Sequence, residues 1–372
     1  MAQPKVAIIH DWLTGMRGGE KVLEALCGFF SGADLYTLVH IPGSVSPKIE
    51  AMKIHTSFLQ ALPGIDSRYR QSLPLMPWAI RRFDLSGYNL IVSSSHCVAK
   101  GVRVPEGAIH ISYCHTPMRY VWDQFDDYFS PGKSSAPVRW IMRGLRPLLQ
   151  SWDRRTAQSV THFIANSENV RQRIQRHYHR DSTVIYPPVD TRAFSLNGRP
   201  RKDFFLMVTA FAPYKRIEVA IEAFNKLGLP LLIAGRGQEH DKLSSLAGPH
   251  VKLLGWVPDG ALKVLYQEAR ALIFPGEEDF GMVPVEAQAC GCPVIALGKG
   301  GALESVVQGQ TGLFFREPTA EALIECVQGF HAKDFDPSRT RENALRFAAE
   351  NFRQKFVDYY ANACPQFDKL VP

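Results

Sequence analysis

The chain has 372 residues, of which 45% are hydrophobic and 21% charged, as is ordinary for globular proteins and sufficient for two domains of about 150–200 residues each. No apolar run reaches the length of about 18 residues that a membrane-spanning helix needs. The short apolar segment near the N-terminus favours a strand over a secretion signal. The seven cysteines have no disulfide or metal-binding spacing, so we expect reduced thiols in a cytosolic protein.

Part of the net charge of +7 lies between residues 133 and 180. Acids are few in this stretch, and its arginines include Arg143, Arg146, Arg154, Arg155, Arg171, Arg173, Arg176 and Arg180. The pattern is typical of solvated helix faces, or of a surface that attracts an anionic membrane or a phosphate-bearing substrate. We expect no nucleic-acid partner, because the sequence contains no aromatic-basic platform and no known nucleic-acid-binding module.

Short apolar segments alternate with amphipathic segments along the first half of the chain. Buried strands are predicted at residues 5–10, 33–39, 89–95, 110–115, 161–167 and 182–188. Helical patterns such as EKVLEALCGFF and NVRQRIQRHYH lie between several of these strands. This alternation predicts a parallel sheet covered by helices on both faces.

The alternation stops at residues 187–203, where proline, arginine and turn residues indicate a linker. Strands are predicted again at residues 204–210, 229–235, 251–256, 271–276 and 293–297. The tail over residues 341–360 predicts a helix with an aromatic face that must be buried. The sequence therefore predicts a first domain over 1–190, a linker over 191–203, a second domain over 204–340, and a closing helix within 341–372 that packs back across the junction.

The predicted fold class is α/β, with two doubly wound parallel sheets. Ligands of such sheets bind at the carboxyl ends of the strands. If the two domains face each other, the cleft between them is the expected binding site, and the candidate residues should cluster at strand ends.

Glycines follow the first predicted strand. Gly15, Gly18 and Gly19 precede a helix that begins near Glu20, and a helix N-terminus behind glycines offers backbone N–H groups to an anion. The spacing lacks the GxGxxG order of dinucleotide-binding loops. A tight strand-to-helix turn and a loop that closes over a donor phosphate or an acceptor are both open interpretations.

Two histidines lie at the ends of predicted strands. His115 lies in YCHTPMRY, shortly before Arg119, and His96 lies in SSSHCVAKG. Each is a candidate site residue, with a purely structural role as the alternative. Ser167, in ANSEN, follows a further strand and either belongs to the site or caps the next helix.

The second half has cationic and glycine-rich strand ends. Lys215 and Arg216 are adjacent at the start of a predicted helix, where the helix dipole disfavours cations, so they indicate an anionic partner such as a diphosphate. Gly235 and Arg236 lie in a second strand exit. A further loop, GWVPDG, contains Val257 and Pro258, and its backbone is suited to lining a flat ring.

The stretch EEDFGMVPVE follows a strand and leads into a helix. The amides of Gly281, Met282 and Val283 at this helix start predict a phosphate site. Glu278 and Glu286 would repel a phosphate unless they point towards hydroxyl groups, such as those of a ribose and a sugar on either side of a diphosphate. The alternative is an acid/base pair that hydrolyses a glycosidic bond, which this context does not favour.

These motifs resemble the retaining nucleotide-sugar glycosyltransferases of the GT-B fold (family 4, group 1). The similarity rests on E-x7-E after a PG strand end, EAQACGCPVIA, GGALESV with TGLFF, PYKR and HTP, and it covers nearly the whole chain. The segments HDWLTGMRGGEKVLE, LPLMPWAIRRFDLSGYNLIVSSSHCVAKGV and YCHTPMRYVWD are similar to the branch with O-antigen and exopolysaccharide mannosyltransferases.

The resemblance implies a role for each matching residue of the donor site. Glu286 would bind the ribose hydroxyls. Glu278 would contact the transferred sugar, aided by the backbone of Phe280, Gly281 and Met282.

The resemblance also implies how charge is handled. Lys215 and Arg216 would neutralise the leaving diphosphate, and His115 would stabilise the developing oxocarbenium charge. Gly18 and Gly19 would approach the donor phosphate and the acceptor. Many members carry Gly-Arg where this chain has Thr209-Ala210, so the second phosphate cation is expected from Arg216 or Arg236 instead.

The implied activity is α-mannosyl transfer from GDP-mannose to a lipid-linked or polysaccharide acceptor, by a cytoplasmic protein peripheral to the inner face of the plasma membrane. No cofactor or metal is implied, and the chain has no D-x-D strand end. The alternatives are a UDP-sugar donor, a GT-B epimerase or phosphorylase, and a non-catalytic sugar-binding protein. The segment LPLMPWAIRRF, residues 73–83, fits either a membrane-contacting surface or a core-facing helix.

Overall fold

The computed structural model describes residues 3–131, 134–368 and 370, and Lys133, at the edge of the basic stretch, lies outside them. The chain divides into two compact units. Unit 1 comprises Met1–Pro188 and Glu350–Pro372, and unit 2 comprises Val189–Ala349. Within the described ranges, no helix is both long enough and apolar enough to cross a bilayer.

Unit 1 is built on a parallel sheet. Its strands are β1 (Val6–His10), β2 (Asp34–Thr37), β3 (Lys53–Thr56), β4 (Leu90–Ser95), β5 (Ile109–Cys114), β6 (His162–Ala165) and β7 (Thr183–Val184). They lie in the order β3-β2-β1-β4-β5-β6-β7, and every pair is parallel. The edge strand β3 is not among the predicted strands, because its short sequence KIHT has no apolar run.

Helices cover both faces of this sheet. They are α1 (Gly18–Phe29), α2 (Pro47–Glu50), α3 (Ile65–Arg68), α4 (Met76–Ile80), α5 (Phe125–Phe129), α6 (Ala136–Ala157) and α7 (Glu168–Tyr178). Successive residues of a strand point to opposite faces, so Ile8 and Ile9 of β1 belong to two different core clusters. All five residues of β1 are buried, as expected for a central strand covered on both sides.

Unit 2 contains the second parallel sheet. Its strands are β8 (Phe205–Val208), β9 (Leu231–Ala234), β10 (Val251–Gly255), β11 (Leu272–Phe274), β12 (Val294–Leu297) and β13 (Gly312–Phe315), in the order β10-β9-β8-β11-β12-β13. Its helices are α8 (Ile217–Leu227), α9 (His240–Leu246), α10 (Asp259–Glu268), α11 (Met282–Ala289), α12 (Ala302–Ser305), α13 (Ala320–Gln328) and α14 (Pro337–Leu345). Two parallel-sheet α/β domains confirm the predicted fold class.

The segment predicted as a linker, residues 191–203, packs along unit 2. Phe194 is buried with its ring centroid 5.7 Å from that of Tyr266. Arg201 donates hydrogen bonds to the carbonyl oxygens of Ala269 and Gly291. Arg201, which resembles a linker residue in the sequence, therefore binds backbone carbonyls, while Arg199 pairs with the carboxylate of Glu268. A sequence pattern reveals neither contact.

The tail predicted as one helix over residues 341–360 forms two helices, α14 and α15 (Ala349–Ala363). The break lies at Phe347, whose ring packs 5.3 Å from that of Phe280 in unit 2. After the break, Phe352 and Phe356 are buried in unit 1, and Phe356 stacks on Phe29 at 4.9 Å. The aromatic side chains are buried as predicted, but they are divided between the two units.

Both sheets reverse their strand order once. In unit 1 the reversal lies between β1 and β4, and in unit 2 between β8 and β11. At such a point the two neighbouring connections leave in opposite directions, and the strand ends form a crevice where ligands of open α/β sheets bind.

Candidate functional site

The reversal point of unit 1 brings polar side chains together. His10 ends β1, Ser94 lies near the end of β4, and His115 follows β5. The Oγ of Ser94 is 3.1 Å from Nδ1 of His10 and 2.8 Å from Nε2 of His115. Gly19, at the start of α1, lies directly beside both rings, since a Cβ there would be 3.7 Å from Nε2 of His115 and 3.8 Å from Cε1 of His10.

Glu20 extends this chain of contacts. Its side chain is buried, with Oε1 3.6 Å from Nε2 of His10, and Oε2 accepts a hydrogen bond of 3.0 Å from the backbone N–H of Arg17. Burial acts to raise the pKa of Glu20, but the contacts with His10, and after them Arg17 and His96, outweigh burial and lower it. The pKa of His115 is held well below its usual range by burial, and then by the neighbouring His96 and His10. Glu20 is therefore a carboxylate and His115 a neutral imidazole.

The charge of Glu20 favours one direction for the hydrogen bonds around Ser94. At 3.6 Å the contact of Glu20 with Nε2 of His10 is longer than a hydrogen bond, but the negative charge of Glu20 favours the proton of a neutral His10 on that nitrogen. The Nδ1 of His10 is then an acceptor, to which Ser94 donates its hydroxyl proton. The Oγ of Ser94 in turn accepts from Nε2–H of His115. The chain Glu20–His10–Ser94–His115 thus leaves Nδ1 of His115 with a lone pair, which can accept a hydrogen bond from a ligand hydroxyl.

Asp11 organises the loop after β4. Its buried carboxylate accepts four backbone N–H groups, those of His96 at 2.7 Å, Cys97 at 3.0 Å, Val98 at 2.7 Å and Ala99 at 2.7 Å. It also lies 3.1 Å from Nδ1 of His96. Burial lowers the pKa of His96, and the charge of Asp11 acts in the opposite direction. Asp11 therefore holds the backbone that positions His96.

The remaining predicted residues of unit 1 have varied surroundings. Gly18 forms the first residue of α1, and Arg119 lies close enough to Tyr128 to oppose the burial that raises the pKa of that phenol. The hydroxyl of Ser167 accepts a hydrogen bond of 3.1 Å from the N–H of Val170 at the start of α7. This geometry is that of an N-cap, the structural alternative for Ser167.

The reversal point of unit 2 contains an ion pair. Lys215 ends a short 3₁₀ helix after β8, and Glu278 lies in the loop after β11. The two side chains form a salt bridge and are mostly shielded from solvent, with exposures of 17% and 13%. The strand ends are close because residue 276 is glycine: a Cβ there would lie 3.1 Å from the Cα of Lys215.

Arg216 has an unusual backbone. Its φ of 53° and ψ of 39° place it in the left-handed region at the N-cap of α8, a conformation that costs an ordinary residue roughly 1–2 kcal/mol. Lys215 and Arg216 thus lie on a sharply turned backbone between β8 and α8, at the reversal point of the sheet.

The start of α11 is built by close backbone contacts. Gly281 adopts φ 82° at its N-cap, and a side chain at Gly301 would collide with the backbone of Phe280. The N–H of Gly301 donates to the carbonyl oxygen of Glu278 at 2.9 Å. The ring of Phe280 is buried, so a ligand can use only its backbone, while Met282 and Val283 are half-buried in the first turn.

Glu286 lies one turn into α11. Its side chain is buried, and the hydroxyl of Tyr266 donates to its Oε2 at 3.3 Å. Burial, followed by the charge of Glu286, raises the pKa of Tyr266 well above its usual range, so Tyr266 remains a hydrogen-bond donor to the carboxylate. The pair Tyr266–Glu286 was not predicted from sequence, because Tyr266 lies on another helix.

The loops after strands β9 and β10 of unit 2 contribute a further group of candidate residues. Gly235 follows β9, and a side chain there would collide with the carbonyl oxygen of Thr209, so its small size serves loop packing. Arg236 lies with its guanidinium 5.6 Å from the ring of Trp256, which is 61% exposed. Val257 and Pro258 follow in the same loop, with Pro258 at the N-cap of α10.

Sequence reasoning missed four residues that the structure brings to these strand ends: Asp11, Glu20, Ser94 and Trp256. Asp11 was not singled out and Glu20 was noted only as the start of a helix, and no local sequence pattern connects either residue to its partners. Trp256 lies in the GWVPDG segment that the sequence singled out for its backbone, but a single exposed aromatic residue gives no signal of its own. Across residues 3–131, 134–368 and 370, no three His, Cys, Asp or Glu side chains are grouped to hold a metal ion.

Comparison with known proteins identifies both halves of the chain. Residues 16–193 match the family described as Glycosyltransferase Family 4, and residues 190–347 match Glycosyl transferases group 1. The chain is also similar in fold to the sucrose-phosphate synthase from Thermosynechococcus elongatus, with a TM-score of 0.72, 19% identity, and coverage of 98% of this chain and 100% of that one.

Three curated relatives are more similar in sequence. The uncharacterized glycosyltransferase MJ1178 of Methanocaldococcus jannaschii is 29% identical over 44% of this chain and 48% of its own length. The human alpha-1,3/1,6-mannosyltransferase ALG2 is 25% identical over 64% of this chain and 67% of its own. The O-antigen chain mannosyltransferase B of Escherichia coli is 28% identical over 42% and 45%. The match thus spans about half of the first and third of these relatives.

We predict that Asp11→Asn destabilises unit 1. An asparagine offers one carbonyl oxygen, so at least two of the four N–H groups at residues 96–99 lose their acceptor, at a cost of about 1–3 kcal/mol each. Urea unfolding and amide hydrogen exchange measure the loss. Asp84→Asn is the control, because Asp84 accepts a backbone N–H from Ser86 at an exposed site. Unchanged exchange at residues 96–99 would contradict the role of Asp11.

We predict that His115 carries its proton on Nε2. Nitrogen-15 NMR of the imidazole rings distinguishes the two tautomers. In Ser94→Ala the acceptor for this proton is lost, and both tautomers become populated, whereas Ser94→Thr keeps the hydroxyl and the Nε2–H form. A wild-type ring protonated on Nδ1 would show that the chain runs the other way. The lowered pKa of Glu20 also stabilises the folded state of unit 1. This stabilisation is fully present above the pKa of a glutamate in the unfolded chain and is lost as the pH falls through the lowered pKa of Glu20 in the folded state.

Proposed function

We propose that this chain, which belongs to the glycosyltransferases that join a family 4 domain to a group 1 domain, transfers mannose from GDP-mannose to a lipid-linked or polysaccharide acceptor and retains the anomeric configuration. The observation that carries the proposal is the Lys215–Glu278 ion pair at the reversal point of the second sheet, in the loops that lead to α8 and α11. Mannose is supported by two relatives whose names describe mannosyltransferases.

We propose that the diphosphate of the donor displaces Glu278 from Lys215. A diphosphate competes for Lys215 because it carries more negative charge than one carboxylate. Glu278, released from Lys215, accepts hydrogen bonds from hydroxyls of the sugar. Arg216 and the N–H groups at the start of α11 add to the neutralisation of the diphosphate. Glu286, oriented by Tyr266, accepts hydrogen bonds from the ribose hydroxyls.

These groups supply the charge stabilisation that the leaving diphosphate needs, so we propose a reaction without a metal cofactor. The acceptor oxygen forms a bond to the anomeric carbon on the face from which the diphosphate departs. The bond between that carbon and the phosphate oxygen breaks, and the acceptor's proton moves to the departing diphosphate. The products are the mannosylated acceptor and GDP.

We assign a supporting role to His115. A neutral imidazole with a lone pair on Nδ1 presents the negative end of its dipole. It can accept a hydrogen bond from a hydroxyl of the transferred mannose, and it favours the positive charge that develops on the sugar ring. An imidazolium would repel that charge, so the lowered pKa of His115 supports this role.

The proposal is tested with the full chain and a panel of donors. We expect GDP release from GDP-mannose, in the presence of a chelator, to exceed nucleotide release from UDP-glucose and UDP-N-acetylglucosamine. Lys215→Ala serves as the matched variant and should lose most of this release. Preference for a UDP-sugar would overturn the donor assignment, loss of activity with the chelator would overturn the metal-free step, and no release from any donor would overturn the reaction.

We predict that Glu278→Gln separates binding from turnover. The glutamine no longer holds Lys215, so GDP binds at least as tightly as in the wild type, while turnover falls by about 100-fold because a carboxylate acceptor of sugar hydroxyls is lost. Calorimetric titration with GDP and initial rates with the donor measure the two effects. Glu277→Gln, at the exposed neighbouring residue, should change neither. Wild-type turnover in Glu278→Gln would remove Glu278 from the site.

A further inference from the structure

Helix α6 covers the core of unit 1 with one face and exposes apolar side chains on the other. Met142 and Leu149 are buried in the core. On the opposite face Trp140, Ile141 and Leu148 are 73%, 58% and 66% exposed. Their spacing of one and seven residues places them on one side of the helix. Large apolar side chains grouped in this way on a surface mark an interaction site.

The charges of α6 have one sign at the surface. The helix contains Arg139, Arg143, Arg146, Arg154 and Arg155. Its single acid, Asp153, is fully buried and bound to Lys100 at 2.6 Å. Arg143 and Arg155 are exposed. Arg143 lies beside the apolar stripe and Arg155 beyond its C-terminal end, so both place positive charge next to it.

A groove of about 470 Å³ opens beside the C-terminal half of α6. Its lining includes Trp122, Pro147, Gln150, Arg154, Arg155 and Gln158. Arg154 is fixed there, since its Nε donates to the carbonyl oxygen of His177 at 3.0 Å and its guanidinium lies 5.3 Å from the ring of Trp122. Arginine and amide donors around a groove of this size suit a phosphate headgroup.

We propose that this α6 surface, meaning the stripe Trp140, Ile141 and Leu148 with Arg143, Arg154 and Arg155, docks onto an anionic lipid bilayer. The apolar side chains enter the boundary between headgroups and acyl chains, and the arginines bind the lipid phosphates. The inference deepens the proposed function, on which it rests for the presence of an acceptor at the membrane.

Charge favours a bilayer over a second copy of the chain. A two-fold interface brings the same surface of each copy together. Two α6 surfaces would then place arginine opposite arginine, with no exposed acid on either helix to pair with them. An anionic bilayer offers both the apolar layer and the opposite charge.

The segment at residues 73–83, which the sequence suggested for membrane contact, is the weaker surface. Met76 is buried in the core. Trp78 is exposed, but its ring lies 4.6 Å from that of Phe58 and 4.5 Å from the guanidinium of Arg82. Its ring is therefore engaged within unit 1, and the segment combines the core-facing and the surface interpretations.

Flotation of the full chain tests this proposal by measuring its binding to vesicles. One set of vesicles contains equal parts of phosphatidylglycerol and phosphatidylcholine, and the other contains phosphatidylcholine alone. We expect binding to the anionic vesicles that is weakened about 30-fold by the pair Arg143→Gln and Arg155→Gln, from about 1 kcal/mol per arginine at an anionic surface. Trp140→Ser with Leu148→Ser should weaken it at least about tenfold. The control pair, Leu246→Ser with Arg339→Gln, removes an exposed leucine and an exposed arginine of unit 2 and should bind like the wild type.

GDP release from GDP-mannose without vesicles separates this inference from the proposed function, since it should be equal in all three pairs of variants and the wild type. If the wild type releases no GDP but binds anionic vesicles through α6, the reaction fails and the docking surface stands. Wild-type vesicle binding by both α6 pairs overturns the docking surface. Equal binding to the two kinds of vesicle overturns the role of charge. A dimer in light scattering that the α6 variants convert to monomers identifies the surface as a self-interface instead.

Discussion

A parallel sheet reverses its strand order where two adjacent strands send their connections in opposite directions, and both units depend on this constraint. At that point backbone groups at the strand ends lack the cover of a connecting segment. In unit 1 the reversal lies between β1 and β4, and His10, Asp11 and Ser94 surround it. In unit 2 it lies between β8 and β11, and Lys215 faces Glu278 across it. Polar and charged side chains thus occupy equivalent places in the two sheets.

The two units stabilise their buried charges in different ways, with different consequences for function. Asp11 is satisfied by four backbone N–H groups, which cannot leave without unfolding the loop. Lys215 forms its ion pair with a side chain, Glu278, which a competing anion can replace. Removing one partner from a shielded ion pair is costly unless a new partner takes its place. Unit 1 therefore presents a fixed hydrogen-bonding array, whereas unit 2 contains a cation whose partner can be exchanged.

The alternation of apolar and amphipathic segments was sufficient to predict two parallel sheets, because strands buried on both faces give continuous apolar runs. The edge strand β3 has no such run and was missed. Local motifs pointed to Lys215, Glu278 and His115 as candidates, since glycine, cation and carboxylate patterns at strand ends are visible in the sequence. The partners of Asp11 and Glu20 were not, because their contacts join residues about 85 and 10 positions apart and depend on which strands become neighbours. The two-helix tail was missed because its aromatic residues were assigned to one helical face. Nine residues at about 100° per residue place Phe347 and Phe356 on opposite sides of a continuous helix, and the packing assigns them to different units.

The buried bonds of unit 1 connect the α6 surface to the strand-end loop. Asp11 holds residues 96–99, and the next residue, Lys100, reaches Asp153 on the inner face of α6. Asp153 also accepts hydrogen bonds of 2.8 Å from Nε1 of Trp122 and from the hydroxyl of Tyr178. Because each of these groups would be left as a buried, unpaired polar group if the helix moved alone, α6 and the loop that carries His96 behave as one body. A bilayer bound to the outer face of α6 would therefore fix the orientation of the strand-end array relative to the membrane, without any contact between the lipid and the array itself.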